Sequence, residues 1–402
     1  MTKLVFVNRY FFPDESATSQ LLTDLTRALT KSGFEVQVIC SRQRYDDPNV
    51  RLPASETIEG VRVHRIWTTC FGRQRLLGRA FDYATFYLSS AAAMLRFVRR
   101  GDTLIAETDP PLISIPAMLA SKLKGAELIN WLQDIFPEVA TILGANPLPR
   151  WLDVALCRLR NASLKAARVN VVLGERMQGQ LLRTGIPSDK IRIIANWAEG
   201  SEDPPKSVQQ SLLRSKLGLS DHFVVGYSGN LGRAHEFQTV LGAAEQLRKQ
   251  VNIVFLRVGG GVGMTQLEKA VADKDLPNFR FLPYLPREAL SDGLAAADVH
   301  WVSLLPALEG FIVPSKFCGI LAAGRPVVFI GDADGELARE IRACACGNNV
   351  QVGNSRAFAE LLTALQSDPM RRELMGVNGY KRYAEHHCAR RAYERWTQLL
   401  KP

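Results

Sequence analysis

The sequence predicts an α/β protein built from two βαβ domains in tandem. Three observations predict it. Short apolar runs of strand length alternate with amphipathic helical stretches along nearly all of the 402 residues. The alternation restarts after a polar, proline-bearing stretch at 196–209. The chain is also longer than one hydrophobic core usually serves.

Leu4 to Asn8 reads as a buried strand, Arg9 to Glu15 as a loop, Ala17 to Thr30 as a helix with Leu21, Leu22, Leu25 and Leu29 on one face, and Glu35 to Cys40 as the next strand. A strand, helix and strand in this order make a parallel pair, so the loop after the first strand lies at a ligand-binding edge. No Gly-x-Gly-x-x-Gly follows that strand, which disfavours a dinucleotide site. Strands at Thr103–Ala106 and Glu127–Leu132 end at Asp109 and Asp134, two carboxylates expected at the same sheet edge. Beyond the linker, strand Phe223–Ser228 runs into Gly229-Asn-Leu-Gly-Arg-Ala-His235, and Asn252–Val258 into Gly259-Gly-Gly-Val-Gly263. Glycines between strand and helix let a backbone approach a phosphate closely, and Arg233 can add a charged contact. The last stretch, Ala357 to Leu400, reads as helical and long enough to return to the first domain.

The chemistry is expected in Ala307 to Ile330. There Glu309, a glycine turn, the helix start Pro314-Ser315 and Lys316 fall together before an apolar strand. A helix start has free amides and the positive dipole end, and Lys316 adds a point charge suited to phosphate. Asp332-Ala-Asp334 is disfavoured as a metal pair, because it follows a different strand from the one that carries such a pair, and Cys344-Ala-Cys346 reads as packing.

Net charge is +10, and residues 1–200 hold 26 Lys+Arg against 19 Asp+Glu, so most of the excess sits in the first half. Eight arginines (62, 65, 73, 75, 79, 96, 99, 100) oppose only Asp82 within 62–100. Between them Tyr83, Phe86, Tyr87, Ser90, Met94, Phe97 and Val98 recur at helical spacing. Two readings stay open: a helix lying on an anionic membrane, or a core helix with solvated flanks. No nucleic-acid motif accompanies the charge. Seven unpatterned cysteines fit a reducing compartment, and no apolar run reaches spanning length, so the expected location is cytoplasmic, peripheral on the inner face of the plasma membrane.

Tyr10-Phe-Phe-Pro13, Ser32-Gly-Phe-Glu-Val36, Asn196-Trp197, Ser228-Gly-Asn-Leu-Gly-Arg233, Val258-Gly-Gly-Gly261, Pro283-Tyr-Leu-Pro286 and, most specifically, Pro314-Ser-Lys316 with Leu321-Ala-Ala-Gly-Arg-Pro326 resemble the GT-B glycosyltransferases of family 4. Gln133-Asp134-Ile-Phe-Pro-Glu138 and Gly229 to His235 are similar to a bacterial branch that builds O-antigen and exopolysaccharide units, including N-acetylfucosamine transferases. The resemblance implies two Rossmann-like domains facing a central cleft. It assigns 1–196 to acceptor binding, 197–375 to nucleotide-sugar binding, and 376–402 to a C-terminal helix packing back on the first domain. It further implies retaining transfer from a nucleotide-diphospho-sugar, UDP-linked, to a lipid-linked saccharide acceptor, with no metal or other cofactor. The transferred sugar would be an N-acetylated deoxyhexosamine, and the acceptor carrier a polyprenyl diphosphate.

In the family pattern two glutamates have seven residues between them; the first touches the transferred sugar and the second the ribose. Here the second is absent, replaced by Phe317 or Gly319 depending on the anchor. Asn230 and His235 stand where the family has an arginine and a lysine, leaving Arg233 and Lys316 for the diphosphate. Catalytic roles then fall to Glu309, which supports the sugar ring, and Asp134, which orients the acceptor or takes its proton. Donor contacts fall to Gly229, Asn230, Arg233, Gly260, Tyr284, Gly310, Val313, Ser315, Lys316 and Glu336, the last replacing the lost ribose carboxylate. Two other classes stay open: a non-hydrolysing nucleotide-sugar epimerase, and a catalytically silent scaffold of a polysaccharide assembly complex.

Overall fold

The computed structural model describes residues 3–44, 47, 50–71, 76–146, 148–198 and 205–401. The chain separates into two compact units, Met1–Ile194 with Tyr393–Pro402, and Ala195–Ala392.

In the first unit, strands β1 (Lys3–Val7), β2 (Glu35–Ser41), β3 (Ser55–Ile58), β4 (Val61–Ile66), β5 (Thr103–Glu107), β6 (Glu127–Trp131), β7 (Val169–Val172) and β8 (Ile191–Ile193) form one sheet in the order β3-β4-β2-β1-β5-β6-β7-β8. All pairs are parallel except β3 with β4, an antiparallel edge the sequence reading omitted. β3 is exposed along one side and short, so its apolar pattern is faint. Strand order, not strand direction, reverses between the parallel neighbours β1 and β5, which sets the loops after these strands side by side: Arg9 N donates to Asp109 O at 2.6 Å.

The helix Leu76–Phe97 buries part of the stripe read from the sequence. Phe86, Ser90, Met94 and Val98 are fully buried, with Phe86, Met94 and Val98 packed on the sheet beside Val5, Val7 and Leu104. The stripe that reaches solvent is a different one, Phe81, Leu88 and Leu95, seven residues apart and followed by exposed Arg96, Arg99 and Arg100. Arg73 and Arg75 lie outside the described residues.

In the second unit, β9 (Phe223–Ser228), β10 (Ile253–Val258), β11 (Phe279–Leu282), β12 (Val299–Ser303), β13 (Val327–Ile330) and β14 (Gly347–Val350) form a parallel sheet ordered β11-β10-β9-β12-β13-β14. Val225, Tyr227, Phe255, Trp301 and Val328 fill its core. The order reverses between β9 and β12, so the loops that follow them, Gly229–His235 and Leu304–Ser315, flank the crevice where such sheets take ligands.

The C-terminal stretch departs from expectation. It is broken into helices Ser355–Ser367, Pro369–Arg382 and Ala389–Leu400, with a π-turn at Tyr383–His387. The first break falls at Asp368-Pro369, where proline starts a helix and the Asp368 side chain accepts from Arg371 N. Return to the first unit begins at Tyr393 and not at 376. There Trp396, fully buried, meets Trp131 edge-on at 5.0 Å between ring centres. Arg168 Nη2 donates to Leu399 O at 2.9 Å.

Candidate active site

The glycine loops of the second unit are locked together by their backbones. Leu231 N donates to Gly260 O, Gly263 N to Leu231 O, and Gly229 N to Val258 O, each at 2.8 Å. A Cβ at Gly259 would lie 2.4 Å from Gly229 O, and one at Gly261 2.1 Å from Asn230 Oδ1; both residues have φ near +120°. Only glycine fits there, because side chains clash and the backbone is left-handed. The Gly229 amide is engaged by Val258 at the end of β10. Asn230 and Arg233 are exposed on the loop surface. Gly260 adjoins Tyr284, whose ring would meet a Cβ at 3.0 Å and is 60% exposed.

Lys316 opens a helix of seven residues, Lys316–Ala322, with Ser315 exposed before it and making no side-chain cap. Its ammonium does not reach outward from the helix start as expected. The chain turns under Gly229, where a Cβ would touch Lys316 Cε at 3.1 Å, and Nζ lies 5.1 Å from the Tyr227 ring centre and 3.1 Å from His235 Nε2. Burial, then the charge of Arg257, lowers Lys316 to about 7. His235 Nδ1 is 2.6 Å from Ser303 O. Burial, then Lys316, lowers His235 to about 3, so the ring is neutral.

Glu309 and Glu336 meet. Glu309 Oε1 accepts from the Glu336 amide at 2.7 Å, at the start of the helix Glu336–Cys344, and Gly335 leaves room for the carboxylate. Gly310, at φ +80°, turns the loop behind Glu309 toward half-buried Val313. A Cβ at Gly319 would meet Leu294 Cδ1 in ordinary contact at 3.5 Å, and the glycine itself offers no carboxylate. Asp334 forks onto Arg339 at 2.8 and 3.0 Å, and Asp332 Oδ1 accepts from Asp334 N, which closes a turn.

In the first unit β5 and β6 are in register, Glu107 beside Trp131, and Thr108 Oγ1 ties their ends by accepting from Gln133 N at 2.8 Å. Glu107 and Asp134 both line a cavity of about 20 Å³, room for roughly one water. Burial, then the charge of Asp109, raises Asp134 to about 8 and Glu107 well above the usual carboxylate range. Neither Glu107 oxygen finds a hydrogen-bond partner among the described residues. The roomier hollow of the second unit, about 560 Å³, lies at the opposite sheet edge, beside Asp298 and Pro326 where β12 and β13 begin, away from these groups.

Sequence reasoning missed Glu107, Arg257 and Tyr227. Arg257 carried a readable signal, a lone charge inside the strand Ile253–Val258 whose other members are apolar.

Residues 18–197 match the family described as Glycosyl transferase 4-like domain, and residues 209–382 that of Glycosyl transferases group 1. The chain is 25% identical over 353 residues to the putative colanic acid biosynthesis glycosyl transferase WcaI of Escherichia coli K12, covering 84% of this chain and 85% of that one. Its fold is similar to sucrose-phosphate synthase from Thermosynechococcus elongatus (TM-score 0.79, 16% identity, 99% of this chain and 98% of that one). It is similar also to HepE of Anabaena in complex with UDP-glucose (TM-score 0.74, 14% identity, 100% and 99%). Adjoining family matches spanning both units, on two sheets of this order, place the chain in the GT-B glycosyltransferases of family 4, and it is an enzyme of the glycosyl-transferase class.

Proposed function

We propose that the chain transfers a sugar from a UDP-linked donor to a lipid-linked saccharide with retained anomeric configuration, in the building of a bacterial surface polysaccharide. The observation that carries this reading is the pairing of Glu309 with the Glu336 helix start on one flank of the β9/β12 switch point, and buried Lys316 on the other. As the donor bond breaks, charge develops on the leaving diphosphate. Lys316 from below and Arg233 from the exposed loop would stabilise it. Glu309, oriented by the Glu336 amide, would support the developing positive charge on the sugar ring. Gly260 and Tyr284 would border the base, and Glu336 the ribose. Asp134, raised to about 8, is matched to taking the acceptor proton near neutral pH. No metal is assigned a role in this scheme. A colanic acid biosynthesis relative and a UDP-glucose complex of the same fold support the substrate classes. An N-acetylated deoxyhexosamine is the proposed sugar.

The acceptor's lipid places the enzyme at the inner face of the plasma membrane. No helix among the described residues is long and apolar enough to cross a membrane. The exposed Phe81, Leu88 and Leu95 stripe with Arg96, Arg99 and Arg100 suits adsorption to an anionic surface instead.

A thermal-shift screen of nucleotide sugars tests the donor claim. A UDP-sugar is expected to raise the melting point of the wild type, because it binds only the folded state, and not that of Lys316→Ala. Turnover of donor without acceptor would favour epimerisation; no shift with any nucleotide sugar would favour a silent scaffold.

A further inference from the structure

Under the glycine loops sits a group of cations with unusual company. Arg257 is completely buried, its guanidinium 3.7 Å from the Tyr227 ring centre, with Nη1 donating to Tyr227 O at 3.1 Å and Nη2 facing Met264 Sδ at 3.6 Å. Its Nε has no hydrogen-bond partner among the described residues. Lys316 Nζ shares the same ring, so Tyr227 bears two cations for which no ion pair with a carboxylate is formed among the described residues. A buried charge of this kind is costly unless an anion joins it.

The hydrogen bonds fix the rest. Ser303 O can only accept, so at 2.6 Å the proton of His235 must reside on Nδ1. Nε2 then presents a lone pair, and Lys316 Nζ, 3.1 Å away, donates to it. Ser303 closes the arrangement from β12: its Oγ accepts from Glu236 N at 3.1 Å, holding the His235 segment against that strand.

We propose that His235 is a positioning residue: its tautomer, set by the Ser303 carbonyl, aims one lone pair at Lys316 and so holds that amine beneath Gly229 for the diphosphate of a nucleotide-sugar donor. The proposal rests on reading this loop as the donor site. It makes donor binding proton-linked. The groups facing Lys316 are Tyr227 from β9, Arg257 from β10 and His235 from the loop, with Glu268 and Tyr284 acting on Arg257 from farther away. Only Lys316 changes charge near neutrality, and an arriving diphosphate favours its protonated form. Binding therefore takes up a proton, and affinity falls as pH rises through about 7.

Calorimetric titration of the full chain with UDP, in two buffers of different ionisation enthalpy between pH 6 and 9, reads this directly. The wild type is expected to bind with net proton uptake. His235→Phe, which removes both the anchor and the acceptor, is expected to weaken UDP about tenfold, the value of one hydrogen bond to a charged group. His235→Gln, which keeps an acceptor, should recover most of that loss, and Lys316→Met should abolish proton uptake. If His235→Phe fails to fold, the Gln variant together with the long-range proton–nitrogen spectrum of the wild-type ring decides, since a ring titrating near 6.5 or carrying its proton on Nε2 overturns the proposal. Wild-type binding unchanged by His235→Phe, or proton uptake surviving Lys316→Met, also overturns it while leaving the donor site standing. No UDP binding by the wild type, with inorganic pyrophosphate equally silent, overturns the donor reading and this proposal with it.

Discussion

Glu309 Oε1 accepts the backbone amide of Glu336 at 2.7 Å, so the carboxylate expected to face the sugar is aimed by a helix start. A Cβ on Gly335 would fall 2.6 Å from Glu309 Oε2. Gly335→Ala is therefore expected to displace the carboxylate and lower kcat about tenfold with the melting point within a few degrees. Glu309→Gln keeps the acceptor and removes the charge. It should leave donor affinity within about threefold and reduce kcat about a hundredfold or more. Steady-state kinetics with an identified donor checks both; full activity in Glu309→Gln would remove the catalytic role.

Asp134 and Glu107 should give the first unit an unusual pH dependence. Their folded values lie above the unfolded ones, so the stability they contribute is complete at acid pH, below the ordinary values of 3.8 and 4.5. It is lost as pH rises, for Asp134 through about 8. Thermal melts should show Asp134→Asn gaining on the wild type between pH 5 and pH 9. If Asp134 takes the acceptor proton, kcat/KM should climb toward pH 8 and Asp134→Asn should flatten that limb. A wild-type rate independent of pH over 6–9 would count against it.

Gly261→Ala is expected to abolish donor binding, because the added carbon meets Asn230 Oδ1 at 2.1 Å and Leu231 O at 2.7 Å and the φ of +112° suits only glycine. Gly260→Ala meets only the edge of Tyr284 and should weaken binding about threefold or less. Equal losses in isothermal titration would show that loop geometry is not what distinguishes them.

His387 Nε2 lies 2.9 Å from Glu340 Oε1, and Arg382 Nε reaches the same oxygen at 2.6 Å. Burial alone would raise Glu340, but the hydrogen bonds from His387 and Arg382 bring it down to about 2. Burial likewise opposes the His387 charge, yet Cys318 and Glu340 raise it to about 10. Glu340 thus contributes stability above about 4.5 that is lost as pH falls toward about 2; His387 contributes below 6.5 and loses it as pH rises through about 10. His387→Ala should cost about 2 kcal/mol at pH 7, read by urea denaturation.

Leu88→Asp with Phe81→Ser should weaken binding to vesicles containing anionic lipid about tenfold or more, since Leu88 and Phe81 are 74% and 60% exposed and touch the acyl boundary in this reading. Phe86→Ser would instead unfold the unit, because that ring is core. Vesicle co-sedimentation at two salt concentrations separates the apolar share from the arginine share.

β1, β2, the strands from β4 onward and both glycine loops were legible because buried parallel strands are continuous apolar runs and glycine marks a close backbone approach. β3 was not, being short and half exposed. The helix Leu76–Phe97 showed its period but not which stripe is buried, since its two apolar stripes are alike in composition and only the sheet beneath chooses between them. Likewise Ala357 to Leu400 showed helical character throughout while its breaks came from capping at Asp368 and a π-turn before Cys388.

By itself the sequence determined the βαβ rhythm, the restart after the linker, and which residue types accompany Pro314-Ser-Lys316, because those follow from local periodicity and short-range turn chemistry. The tertiary structure decided where charges go. It folded Lys316 inward beneath Gly229 against His235, set Arg257 on the face of Tyr227, and handed Glu309 to the amide of a helix 27 residues away. These are contacts between chain-distant groups, and burial, which shifts their charges, exists only once the sheets have closed around them.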